Sequence, residues 1–340
     1  MDEDGAEPGD DPTAGGAQTA GRGPRAAWQS VVPITRLVVV LVLIVVAVAV
    51  TTVVAVVAGP PSEDELLKQA GMTGKHELLV GVKDDQPGVA MKANGVFTGF
   101  DIEIAYLIAG DLGFRPNEVR FLPIESEDRE RMRAYDDRAR TNVTVDLVIA
   151  SYSITPARTA SGARFSAPYL RTEQSVLTRK GHPRVEALAD LAGKRVCTIA
   201  TSTSADALKD AGIANVEREK KVSNCVKSLM DGNVDAVTTD AAILAGFVHE
   251  PAYQGKLELH DIGLEAEEKW GVNVGPNEAL RTLVNLSLYR SWHDPGDRRW
   301  EDAYDRYLRP ERAYSGPQDV AVDAQPEVER PAVRQWPWQR

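Results

Sequence analysis

Arg158 closely follows an apolar run at residues 145–150, and Ser151 and Ser153 lie just before it. A guanidinium is a planar fork that binds both oxygens of a carboxylate at once. The two serines offer hydroxyl and backbone hydrogen bonds to the same anion. Thr201-Ser202-Thr203-Ser204 forms a second polar cluster ahead of a helical stretch. Backbone N–H groups and hydroxyls at a helix N-terminus make a natural anion cradle. Asp240 ends the apolar run 236–239, where a carboxylate suits the N-cap of a helix beginning at Ala241.

Nothing comparable points to bond-breaking chemistry. The sequence has no nucleophile elbow, no zinc-helix signature and no phosphate loop. Cys197 and Cys225 have no metal-ligand partner at zinc-like spacing, and His76, His182, His249, His260 and His293 are scattered. Neither a metal nor a cofactor is expected, and the chain reads as a binder and not as an enzyme. Its net charge of −11 argues against a nucleic-acid partner, which calls for a basic face.

The elements that must position these residues alternate in kind. Residues 78–82 read as a buried strand, 100–112 as a helix closed by Gly113, and 119–122 as a second strand. Residues 128–138 read as a charged helix and 145–150 as a third strand. After a break near 171–187 come a strand at 195–200, a helix at 204–211 and a strand at 214–217. A helix at 225–232 and a strand at 236–239 follow, then two helices within 278–309. Strand–helix alternation of this sort gives βαβ units and largely parallel sheets, an α/β fold. At 340 residues the chain can form two core-containing lobes with tails.

Before these elements lies LVVVLVLIVVAVAVTTVVAVVA, residues 37–58, without a charge. Roughly 20 apolar residues cross a bilayer core of about 30 Å. The run is longer, and begins later, than the apolar core of a cleaved signal peptide, so a transmembrane signal-anchor is expected. Arg22, Arg25 and Arg36 precede it and Glu63, Asp64 and Glu65 follow. The positive-inside rule then puts residues 1–36, a disordered tail by composition, in the cytoplasm, and 59–340 outside. Residues 59–76 read as a linker with a short helix, and 313–340 as a loosely ordered C-terminal tail. A disulfide persists in that compartment, and Cys197 and Cys225 are expected to pair.

Five runs, in order, resemble the amino-acid-binding proteins of ABC importers, a branch of the type II periplasmic-binding-protein family. They are Val80-Gly81-Val82-Lys83-Asp84-Asp85; Gly99-Phe100-Asp101-Ile102-Glu103-Ile104-Ala105; and Asp146-Leu147-Val148-Ile149-Ala150 continuing through Ile154-Thr155 to Arg158. The last two are Leu188-Ala189-Asp190-Leu191-Ala192-Gly193-Lys194 and Asp235-Ala236-Val237-Thr238-Thr239-Asp240. The resemblance covers about 77–312 and is greatest to glutamate/aspartate-binding members.

It implies two lobes, 77–171 plus 271–312 and 172–270, joined by two crossovers with the ligand in the cleft. A free amino acid is a zwitterion, and each of its charges needs a partner when buried. The resemblance puts the carboxylate clamp at Arg158 with Ser151 and Ser153, and the ammonium-binding acid at Asp240. Asp240 remains open to both that role and the helix cap. Lys83 and Arg129 match the basic positions of acidic-ligand members, and Phe97 is a candidate cover for the ligand's aliphatic part. The family usually has a glycine among the positions matching 201–204 and this chain has none, which bears on the contacts expected at Thr201 and Thr203. An ABC permease is the implied membrane partner. The same clamp also suits a membrane-anchored sensor, and a few proteins of this fold are dehydratases.

Overall fold

The computed structural model describes residues 28–263 and 267–334. Helix α1 (Trp28–Ala58) stands in a unit of its own, Met1–Gly59. Its segment Ile34–Val54 has a mean hydropathy of 3.3 over 21 residues and is long and apolar enough to cross a membrane. The helix starts nine residues before the apolar run, so residues 28–36 are not tail. Once a helix is nucleated, extension past the apolar run costs little. The expected disorder of 1–27 lies outside the described residues.

The second unit, Pro60–Arg340, begins with α2 (Glu63–Gln69). Ser62 and Glu65 close a capping box: Glu65 N–H donates to Ser62 Oγ at 3.2 Å, and Ser62 N–H to Glu65 Oε2 at 2.9 Å. Then come β1 (Leu78–Val82), the meander β2 (Asp85–Gln86), β3 (Ala90–Ala93) and β4 (Val96–Thr98), and helix α3 (Phe100–Asp111). β5 (Val119–Pro123), the hairpin β6 (Arg133–Asp136) and β7 (Thr141–Thr144), β8 (Leu147–Val148), α4 (Pro156–Ser161) and β9 (Phe165–Thr172) follow. β10 (Gln174–Arg179), β11 (Val196–Ile199), α5 (Thr203–Asp210), β12 (Val216–Glu219), α6 (Val222–Met230) and β13 (Ala236–Asp240) come next. The last elements are α7 (Ala241–His249), β14 (Leu257–His260), β15 (Glu268–Asn273), α8 (Glu278–His293) and α9 (Arg299–Tyr307).

Two five-stranded sheets result, in the orders β5-β1-β8-β15-β9 and β12-β11-β13-β10-β14. In each, one strand runs against the other four, β15 in the first sheet and β10 in the second, and the inner parallel strands β1, β8, β11 and β13 are the buried apolar runs. The chain leaves the first sheet at Thr172, where β9 ends, and enters the second at Gln174; it returns between β14 and β15. The break expected near 171–187 therefore contains the end of β9, the first crossover and all of β10. Gly246 on α7 marks how closely the second lobe meets the first, since a Cβ there would stand 2.0 Å from the Pro87 carbonyl oxygen. The disulfide joins Cys197 on β11 to Cys225 on α6, with Cα atoms 5.4 Å apart.

Two further expectations fail. Residues 128–138 are not a helix: Met132 takes a left-handed φ of 55° and β6 pairs with β7. Alternate residues Ala134 and Asp136 are buried, and Asp136 accepts from Arg120 Nη1 at 2.8 Å. Beyond 313 the chain is packed at least to residue 334. Val320, Ala321 and Val328 are buried. Val320 and Ala321 carbonyls accept from Thr172 and Tyr304, Val322 N–H donates to Arg171, and Gln325 donates to the Leu288 carbonyl.

Candidate ligand-binding site

A cavity of ≈ 330 Å³, counting space open to solvent, lies where the ends of the two sheets face each other. From the first lobe come Lys83 at the end of β1, Arg129, Ser151, Ser153 and Arg158; from the second come Thr203 and Asp240.

Local folding sets each group. Thr155 caps α4, its hydroxyl accepting from Arg158 N–H at 3.2 Å, and Pro156 starts the helix. Arg158 is thereby turned back over the loop before it, where Nη1 donates to the Ser153 carbonyl at 2.8 Å. Nη2 reaches the other lobe, donating to the Thr201 carbonyl at 3.2 Å. Arg129, 5% exposed, donates to the carbonyls of Ser126, Ala150 and Ser151 at 3.1–3.2 Å. Both guanidiniums lie over the Tyr152 ring, at 4.4 Å for Arg129 and 4.8 Å for Arg158. Burial, and then the Arg158 charge, lower the Arg129 pKa to about 10.

Lys83 is also buried, and Nζ donates to Ser126 Oγ at 2.9 Å and the Ile124 carbonyl at 3.3 Å. Burial first, and Arg129 second, lower its pKa to about 8. Across the cleft Asp240 occupies the N-cap position of α7, yet its side chain makes no capping bond. It accepts instead from Trp270 Nε1 at 2.6 Å. Burial, then the charge of Glu268, raise its pKa to about 7, with Arg158 and Arg129 pulling the other way. Among the described residues, Lys83, Arg129, Arg158 and Asp240 make no ion pair with a protein side chain.

Ser151 has φ +46°, a conformation uncommon for a side-chain-bearing residue. It is held by Asp101 Oδ2, which accepts its N–H at 2.9 Å, and its hydroxyl donates to Gln86 Oε1 at 2.6 Å. Asp101 also accepts from Tyr169 Oη at 2.9 Å, and burial pushes its pKa up to about 7. Thr203 is the first residue of α5, capped by Ser202.

Two expected site residues stand apart. Thr201, with φ +62°, contributes a carbonyl to Arg158 but does not line the cavity. Phe97 on β4 packs against Phe121 at 5.8 Å and under Lys92 at 5.2 Å, in a groove on the outer side of the first lobe. The β2–β4 meander carries it there, away from the residues that line the cavity. Gln86, Ser126 and Tyr152 were not among the expected residues. Gln86 and Ser126 sit beside Lys83 and Arg129 only because the loops after β1 and β5 converge, a juxtaposition that one-dimensional spacing does not reveal.

Two lobes of mixed α/β structure, linked by two crossovers with a charged cavity between them, define a binding protein of the clamp type. The chain belongs to the bacterial extracellular solute-binding proteins, family 3, whose sequence profile matches residues 78–308. The glutamate-binding protein GluB of Corynebacterium efficiens is 31% identical over 236 residues, 66% of this chain and 76% of the relative. The ABC transporter glutamine-binding protein GlnH of Bacillus subtilis is 28% identical over 252 residues, 72% of this chain and 85% of that protein. The solved solute receptor for L-cysteine of Neisseria gonorrhoeae shares the fold, with a TM-score of 0.63 at 24% identity over 76% of this chain and 99% of that one.

Proposed function

We propose that this protein captures an acidic amino acid, glutamate or aspartate, outside the membrane and delivers it to an ABC importer, with α1 as its uncleaved anchor and the N-terminus in the cytoplasm. One observation carries the reading. Three buried or half-buried cations from one lobe and one buried carboxylate from the other converge on a single cavity without an ion pair to any of the described residues. Buried charges in that condition call for a partner. Glutamate supplies two carboxylates and one ammonium.

In this reading Arg158 takes the α-carboxylate, with Ser151, Ser153 and the α5 N-terminus at Thr203 adding hydrogen bonds. Asp240 takes the ammonium. Lys83 and Arg129 take the side-chain carboxylate, and the similarity to GluB supports that choice.

The test is a thermal-shift screen of the full-length chain in detergent against the twenty amino acids and several dicarboxylates. A ligand that binds only the folded state adds about 2.7 kcal/mol of stability at a hundredfold excess over its Kd. A shift confined to glutamate and aspartate is expected. A shift with glutamine alone would remove Lys83 and Arg129 from side-chain recognition, and no shift with any amino acid would sink the binding reading. Ligand-stimulated ATPase activity of a co-purified permease distinguishes delivery from sensing.

A further inference from the structure

We propose that Tyr152 is a positioning residue for the anion clamp: its ring holds both the Arg129 and Arg158 guanidiniums, two like charges, against itself before a ligand arrives. The inference rests on the binding reading above and adds to it a residue that touches both cations.

Two cations under one aromatic ring need an explanation. The Arg129 and Arg158 Cζ atoms stand 4.4 and 4.8 Å from the Tyr152 ring centroid. Their hydrogen-bond acceptors are neutral carbonyls, from Ser126, Ala150 and Ser151 for the first and Ser153 and Thr201 for the second. Their mutual repulsion is set against the ring, whose π face carries the negative end of its quadrupole. The ring itself cannot wander. Tyr152 is 4% exposed, its ring meets Phe165 edge-on at 4.8 Å, and its carbonyl accepts from Gly271 N–H at 3.0 Å.

Any apolar side chain of similar size would fill the space among Ile154, Ala163 and Phe165. Only an aromatic one also attracts cations. Without it the guanidiniums separate, and binding must first bring them back together, a cost that a preorganised site avoids.

Fluorinated phenylalanines separate shape from charge, because each added fluorine weakens the π face while the ring keeps its form. Calorimetric Kd values would be measured on the full-length chain in detergent for Tyr152→Phe, for mono-, di- and trifluorophenylalanine at position 152, and for Tyr152→Leu. The titrant is whichever amino acid raises the wild-type melting temperature most. Tyr152→Phe should bind within about threefold of wild type, and the trifluoro form and Tyr152→Leu about tenfold more weakly. Affinity should fall stepwise with each fluorine. A flat fluorine series in a protein that binds its ligand overturns the inference and leaves the binding reading intact. A wild type that responds to no amino acid overturns both.

Discussion

The two lobes share a sheet plan and divide the charge. The first supplies Lys83, Arg129 and Arg158; the second supplies Asp240 and the start of α5. Each lobe alone is therefore complementary to one pole of a zwitterion, and only the pair is complementary to the whole. Their stabilisation differs as well. The first lobe is buttressed by α2, α8, α9 and the packed stretch to residue 334, whereas the second has a covalent tie between β11 and α6. The lobe supplying three of the cavity's four charged side chains named above thus has the more extensive support, and the other is pinned locally.

Removing the cationic pole should have the largest effect. Arg158→Ala is expected to weaken binding at least a hundredfold, about 3 kcal/mol, by calorimetry. The melting temperature of the empty protein should hardly change, because the side-chain partners of Arg158 are two neutral carbonyls and the Tyr152 ring, which it shares with a second cation, Arg129. Retained affinity would show that the poles are not divided as described. Next, the Cys197→Ala, Cys225→Ala double variant should lose about 3 kcal/mol of stability in urea titration, from a bridge spanning 28 positions. If the second lobe depends on that tie, hydrogen exchange should rise there and not in the first.

Asp240→Asn should cost about 2 kcal/mol of affinity, and its pH behaviour is the sharper test. The empty-site pKa of Asp240 is raised to about 7, so below that pH an ammonium must displace a proton, and affinity falls as pH falls. The Lys83 pKa is lowered to about 8, so above that pH the carboxylate loses a cation, and affinity falls as pH rises. Affinity should peak between the two, and Asp240→Asn should abolish the acid limb alone. The smallest effect is expected across the cleft rim, where Lys221 Nζ lies 2.7 Å from Asp84 Oδ2. Lys221→Ala should weaken binding about threefold, and less at high salt, as for a partly exposed pair.

How much of this was legible in the sequence depended on locality. The strands at 78–82 and 236–240 were readable because buried parallel strands are continuous apolar runs. Arg158 and Asp240 were readable because each sits at the end of such a run. The hairpin at 133–144 was not, because the period-two burial of β6 spans only four residues, β7 is largely exposed, and the segment is rich in helix-favouring charges. Nor was the packing of 314–334, whose sparse apolar residues carry no period and whose hydrogen bonds go to partners far along the chain. Tyr152 escaped for another reason: the resemblance leaves its position unspecified, and its significance comes from two arginines reaching it from separate segments, Arg129 after β5 and Arg158 on α4.

That C-terminal stretch ends where the domain begins. Arg334 N–H donates to the Pro61 carbonyl at 2.9 Å, its Nη2 reaches Glu65 at 2.8 Å, and it bridges Ser62. The folded unit is in effect a closed ring with both exits at one point. A short peptide linking those exits could be paired with a new opening in an exposed loop on the far side, giving a circularly permuted clamp.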